Sequence, residues 1–263
     1  MFGFTLAGLF VGFAVGATGV GGGALMTPIL ILAFGIVPAT AVGTDLLYAA
    51  ITKGFGVVLH RKAGTVDWRV VGLMAAGSAP ATVVTSLLLG GVHGEGGSSD
   101  SLILTVLAIA IVVTSLLTLA RAPLQYWMAQ RSTKTAWQER HPKAVAIATV
   151  VFGALIGVLV TISSVGAGVI GAMVLMSLYP KMRAISVVGT DLAHAVPLTL
   201  LAGLMHYVTL GTVDFTMLGY LLLGSLPGIY FGTKVGFRLP DRILRPTIAI
   251  ALLLIGCSLL FKL

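Results

Sequence analysis

Two runs decide the fold: Phe2 to Phe34, interrupted by Thr18-Gly19-Val20-Gly21-Gly22-Gly23, and Ala144 to Tyr179, interrupted by Ser163-Ser164-Val165-Gly166-Ala167-Gly168. Each run is almost wholly apolar and longer than thirty residues. As one straight helix, at about 1.5 Å per residue, each would be about 50 Å long. A hydrocarbon core of about 30 Å needs only about 20 residues. Each run must therefore break, and the glycine clusters mark where, since glycine is poorly suited to a helix interior.

The surrounding composition places the chain in a bilayer. Of 263 residues, 57% are hydrophobic and 9% charged, against about 25% charged in soluble domains. Sixteen Lys and Arg face eight Asp and Glu, a net charge of +8. With so few other places for charge, that excess belongs to connecting loops, where it reports orientation and not nucleic-acid binding. The single cysteine, Cys257, excludes a disulfide framework, a zinc cluster or an iron–sulfur site supplied by this chain alone. No basic stretch precedes Phe2-Gly3-Phe4-Thr5-Leu6, so the first apolar segment is expected to stay in the mature protein. No nucleophile elbow, HExxH motif or phosphate-binding loop occurs. No catalytic residue, metal site or cofactor is expected, and the chain does not read as an enzyme.

Six further stretches fit the length of a membrane span directly: 40–59, 70–89, 102–120, 185–205, 215–232 and 244–261. The chain also repeats itself. Val20-Gly21-Gly22-Gly23 aligns with Val165-Gly166-Ala167-Gly168, Val42-Gly43-Thr44-Asp45 with Val188-Gly189-Thr190-Asp191, and His60 with His206. Gly64-Thr65-Val66-Asp67 then aligns with Gly211-Thr212-Val213-Asp214, and Gly77-Ser78-Ala79-Pro80 with Gly224-Ser225-Leu226-Pro227, always 145 to 147 residues apart. Order and spacing kept over five motifs mean two homologous halves. The polar stretch 121–143 between them, with Tyr126, Trp127 and Trp137 among basic residues, reads as a cytoplasmic linker lying at the membrane surface.

Charge orients the halves. Arg61, Lys62 and Arg69 flank the loop between the first two spans, whereas Lys181, Arg183, Lys234, Arg238, Arg242 and Arg245 flank the other two connections of the second half. All fall on one side, as the excess of Lys and Arg in cytoplasmic loops requires, if each broken run enters and leaves on the same face. The expectation is an all-α polytopic membrane protein of two inverted-topology repeats. Each is a broken re-entrant hairpin (2–34 and 144–179) followed by three spanning helices, with both termini outside. Length alone would also let 144–162 span.

Non-helical backbone at membrane depth is tolerated only when buried in protein or lining a watery cavity. Two inverted hairpins would bring two helix N-termini, with unpaired N–H groups and glycines allowing close approach, onto one point. That describes an anion site at Thr18, Gly19, Gly21, Gly22 and Gly23 of one tip and Ser163, Ser164, Gly166 and Gly168 of the other. Tight packing of small residues is the alternative, and it is the expected role of the four-residue ladders Gly8-Gly12-Gly16, Gly153-Gly157 and Gly224-Gly228-Gly232-Gly236. Pro80 and Pro227 should kink their helices. Ionisable residues inside spans face a cavity or a partner. Asp45 and Lys53 in one half, Asp191 and His194 in the other, are candidates for ion or proton coupling, the last two as a relay pair. An acid near a helix start can also simply complement the helix dipole. His60 and His206, at membrane edges, read as interfacial anchors.

Gly19-Val20-Gly21-Gly22-Gly23-Ala24-Leu25-Met26-Thr27-Pro28, Ala41-Val42-Gly43-Thr44-Asp45-Leu46-Leu47 and His60 followed by Gly64-Thr65-Val66-Asp67-Trp68 resemble the sulfite exporter TauE/SafE family, with degenerate echoes in the second half. The resemblance spans nearly the whole chain. It implies a bacterial inner-membrane permease for small sulfur oxyanions or organosulfonates. The expected function is therefore a secondary transporter, an exporter of such an anion, working by alternating access. Proton-coupled uptake of a sulfur-containing anion and a non-transporting membrane scaffold are the alternatives. The expected partners are the small anion, protons and membrane lipid, with no nucleic acid, and oligomerisation is left open.

Overall fold

The computed structural model describes residues 2–18, 23–93, 98–120, 141–166, 168–236 and 241–260. Both long runs break at the glycine clusters. Helix α1 (Phe2–Thr18) gives way to α2 (Gly23–Phe34), and α6 (Pro142–Ser163) to α7 (Val169–Leu178). Between and after them lie α3 (Pro38–Lys62), α4 (Trp68–His93), α5 (Ser98–Leu119), α8 (Ala184–Met205), α9 (Phe215–Gly236) and α10 (Asp241–Leu260). Helix α8 runs on into a π-helical turn, His206–Leu210. No strand occurs among the described residues. Most of the linker, 121–140, and with it Tyr126, Trp127 and Trp137, lies outside them.

Among the described residues, six helices are long and apolar enough to cross a membrane: Pro38–Lys62, Trp68–Gly91, Asp100–Leu119, Pro142–Ser163, Ala184–Leu210 and Phe215–Gly232. Five coincide with expected spans. The sixth expected span, 244–261, is helical over Asp241–Leu260 but carries a shorter apolar run, Ala249–Leu259. Helix α6 qualifies because no charged residue follows Lys143 before the helix ends at Ser163. The bundle is inside out relative to a soluble protein. Large apolar side chains face outward, Leu88 at 67% and Ile147 at 65% exposure, while Asp45, Lys53, Asp191 and His194 are buried. Such a surface suits lipid, and the protein is embedded in a membrane as a multi-pass chain.

In both broken runs the chain doubles back. The Phe34 ring, at the end of α2, stacks on Phe4 in the first turn of α1, with centroids 4.8 Å apart. The Tyr179 hydroxyl, just past α7, lies 2.8 Å from Thr149 Oγ1 near the start of α6. Ala39 N–H at the start of α3 donates to Asp100 at the start of α5 (3.2 Å). The opposite end of α3 faces the start of α6 and the turn after α7 across a shared cavity. The two ends of the bundle are thereby set.

The halves meet through reciprocal contacts. Helices α3 and α8 run antiparallel: Gly43, early in α3, faces His206 and Thr212, and Gly189, early in α8, faces His60 and Thr65. Asp67 N–H donates to Thr190 Oγ1, and Asp214 N–H to Thr44 Oγ1, both at 3.0 Å. The same two aspartates cap α4 and α9, the Asp67 carboxylate accepting from Val70 N–H (3.2 Å) and that of Asp214 from Met217 N–H (2.9 Å), as N-cap residues do. Helix α1 packs on α9 as α6 packs on α4. In the first pair Gly8 and Gly12 lie against Leu221 and Ser225; in the second, Gly153 and Gly157 lie against Met74 and Ser78. Gly8, Gly12, Gly153, Gly157, Gly224, Gly228 and Gly232 thus lie in seams of close helix contact.

Gly77 and Gly224 are the tightest points of these seams, because a Cβ on either would overlap the carbonyl oxygen of Val150 or Thr5, respectively. Gly77→Ala and Gly224→Ala should each destabilise the detergent-solubilised protein by about 1–3 kcal/mol, as overpacking does. Gly72→Ala and Gly219→Ala, at open helical positions, should leave the thermal unfolding midpoint unchanged or raise it slightly, since alanine favours a helix interior over glycine. Equal midpoints in all four would remove the seams from the account of stability.

Candidate functional site

Helices α3 and α8 carry the ionisable residues, and the broken hairpins deliver backbone to them. Asp45 is fully buried and accepts a hydrogen bond from Thr27 Oγ1 of α2 at 2.5 Å. Its other oxygen, Oδ1, has no hydrogen-bond partner. Ser164, at the break after α6, lies beside this carboxylate. Asp191 occupies the corresponding place in the other half, its carboxylate against the backbone of Gly171 in the first turn of α7. Lys53 lies within electrostatic reach of Asp191 and Asp45, and of His194. Removing such groups from water costs several kcal/mol per ion, so their burial in one connected region makes it the candidate centre.

The second break is built in detail. Helix α6 ends in Ser164, whose left-handed backbone (φ 57°) is closed by its N–H to Val160 C=O at 2.8 Å. Ser163 Oγ donates to Leu159 C=O (2.7 Å) and accepts from Val165 N–H (3.3 Å). Its hydroxyl is therefore engaged by its own turn, while the buried Ser164 Oγ has no hydrogen-bond partner. Gly166 and Gly168 take φ of 117° and 149°, a region that side-chain-bearing residues avoid. His206 Nε2–H donates to the Thr161 carbonyl at 2.8 Å, supplying a partner for a helix-end acceptor. His206 is fully buried and so is an internal clasp, not the interfacial anchor expected of it. His60 bonds Thr65 Oγ1 at 2.8 Å through Nδ1.

Of the first tip, Thr18 ends α1 and Gly23 begins α2, while Gly19, Gly21 and Gly22 lie outside the described residues. Asp45, Lys53, Asp191 and His194 are brought into one buried region. Asp191 and His194 are not hydrogen-bonded to each other, since His194 pairs through Nε2 with Ser78 Oγ at 2.9 Å and its Nδ1 has no hydrogen-bond partner. The repeat-related contact is Tyr48 hydroxyl to Ser225 Oγ, 2.7 Å. Sequence reasoning missed Tyr48, Ser78, Ser225 and Thr27. The first three had a signal: Tyr48 occupies in the first half the position that His194 occupies in the second, and both serines sit in the aligned Gly-Ser-x-Pro motif. Thr27 had none.

The Sulfite exporter TauE/SafE family matches residues 4–259. The chain is 37% identical over 265 residues to the "Probable membrane transporter protein YjnA" of Bacillus subtilis (strain 168), covering 97% of this chain and 98% of that protein. It is 27% identical over 258 residues to the "Probable membrane transporter protein YdhB" of the same organism, covering 95% and 96%. No solved structure matches it. A helical, lipid-facing bundle with buried ionisable residues at the broken helices has its place here: the chain belongs to the sulfite exporter TauE/SafE family of membrane transporters.

Proposed function

We propose that the protein is a secondary transporter that exports a small sulfur-containing anion, such as sulfite or an organosulfonate, across the plasma membrane by alternating access. The observation that carries this reading is the pair of buried aspartates, Asp45 and Asp191, each held against a broken hairpin on antiparallel helices. Binding centres of transporters form from discontinuous helices where two repeats meet. The substrate class comes from the family's name. An outward-moving anion is driven by about 2.3 kcal/mol per charge per 100 mV when the cell interior is negative.

In this reading each half, 1–120 and 144–263, is an inverted repeat of one re-entrant hairpin and three spans, joined by a cytoplasmic linker, 121–143. The reciprocal Thr–Asp contacts and the doubling back of both broken runs support it. The anion binds between the tips, at Thr18, Gly19, Gly21, Gly22 and Gly23 from one side and Ser163, Ser164, Gly166 and Gly168 from the other, with Ser164 beside the Asp45 carboxylate. Asp45, Lys53, Asp191 and His194 couple transport to protons. Lys53 has Thr199 in the equivalent place, so the two aspartates are inequivalent, and Asp191 with His194 carries the proton.

Reporter fusions after Gly35, within 91–101 and at the C-terminus should read periplasmic, and fusions in 121–143 or near Lys181 cytoplasmic. A cytoplasmic C-terminus would sink the inverted arrangement.

Radiolabelled sulfite flux in proteoliposomes, in both directions and with or without a proton gradient, tests the activity. Gly168→Val should abolish flux, because φ of 149° strains a β-branched residue. Ser164→Ala should weaken sulfite binding by about 1.5–3 kcal/mol, as for a lost hydrogen bond to a charged group. Full activity in both folded variants would favour packing as the sole role of the break.

Asp191→Asn should remove the pH dependence of flux while sulfite binding persists, whereas Asp45→Asn should mainly lower the yield of folded protein. Wild-type pH dependence in Asp191→Asn would return that residue to a helix-end role.

A further inference from the structure

A cavity of about 730 Å³ opens at the end of the bundle where α3 passes to α4, bounded by residues 64–70, the start of α6 and the turn after α7. Its lining includes three cations, Arg69, Lys181 and Arg183, beside Trp68, Tyr179 and one acid, Asp67. The Asp67 carboxylate is committed to the first turn of α4, accepting from Arg69 N–H (3.1 Å) and Val70 N–H (3.2 Å). The lining therefore carries three side-chain cations and a single carboxylate, an excess of positive charge. The starts of α6 and α8 lie at the same rim, and neither has a side-chain cap, so their first N–H groups add positive partial charge. A concave basic surface with low-dielectric walls focuses its field and concentrates anions.

The cavity also borders the buried centre. Asp67 lines it and donates its N–H to Thr190, the neighbour of Asp191 in α8. Tyr179, on the cavity wall, is tied to Thr149 of α6, the helix that ends in Ser163 and Ser164. At this volume the cavity is several times larger than a sulfite ion and suits an anion that keeps its hydration shell. We infer that this cleft is the vestibule where the transported oxyanion is gathered on one face of the membrane before it reaches the tips. The inference rests on the anion-transport reading and adds to it an anion-binding role for Arg69, Lys181 and Arg183. An anionic lipid headgroup has the same chemistry, and the experiment separates the two sources.

The full-length protein is reconstituted with known sidedness in phosphatidylcholine vesicles, with and without phosphatidylglycerol. The combined variant Arg69→Gln, Lys181→Gln, Arg183→Gln should raise KM for sulfite presented at the cleft face at least tenfold, with a smaller change in kcat. KM at the opposite face should move far less, and the salt dependence of KM at the cleft face should fall. Unchanged KM at the cleft face, or an equal rise at both faces, would overturn the proposal. A second measurement does not need transport: in a Trp127→Phe, Trp137→Phe background, the fluorescence of Trp68 is titrated with sulfite. A saturable change that the triple variant loses supports the vestibule. A change that appears only with phosphatidylglycerol, and not with sulfite, assigns the cleft to lipid and overturns it. Saturable titration without sulfite flux would keep the cleft as an anion site and discard sulfite as the cargo. Flux with no titration and an unchanged KM would discard the cleft alone.

Discussion

A backbone that leaves the helical path inside a membrane must find its hydrogen bonds within the protein, because lipid offers none and each unpaired group costs several kcal/mol. The break after α6 meets that demand three ways. Ser163 bonds to its own turn, Ser164 closes the helix in a left-handed conformation, and His206 reaches across from the end of α8 to the Thr161 carbonyl. The last of these ties the tip of one hairpin to the junction between two long helices. The hairpin can persist only while α8 and α9 stay in place, so the break and the surrounding bundle depend on each other.

The same dependence runs between the halves. The N-cap aspartates Asp67 and Asp214 each use a carboxylate locally and an N–H on the opposite half. Threonines adjacent to Asp45 and Asp191 receive those N–H groups. A shift of one half against the other would thus be felt at both central carboxylates at once. Glycine seams between α1 and α9, and between α4 and α6, bring backbones to contact distance, so each hairpin packs along a helix of the opposite half rather than floating in lipid. Transport by rocking of two halves would have to act through these seams and caps.

The pairs that line the centre are related but not identical. Tyr48 with Ser225 and His194 with Ser78 are the same contact made with different chemistry. Only the histidine titrates near physiological pH in its ordinary state. Lys53 answers to Thr199, whose hydroxyl bonds the Ala195 carbonyl of its own helix. These differences make the two sides of the buried region chemically unequal.

Much of this was legible in the chain itself. Length against the bilayer ruler required the two breaks, and scarce charge singled out Asp45, Lys53, Asp191 and His194, which the bundle buries, because spacing and polarity are local properties that lipid makes strict. Tertiary structure decided the rest. That Thr27 bonds Asp45, that Ser164 lies beside the same carboxylate while Ser163 bonds its own turn, and that His206 is a buried clasp all depend on which helix lies beside which. Asp191 and His194 sit a turn apart in sequence yet are not bonded, because Ser78 of α4 takes the histidine. The basic cleft likewise joins loops more than a hundred residues apart, a proximity that exists only once α3 and α8 have packed antiparallel.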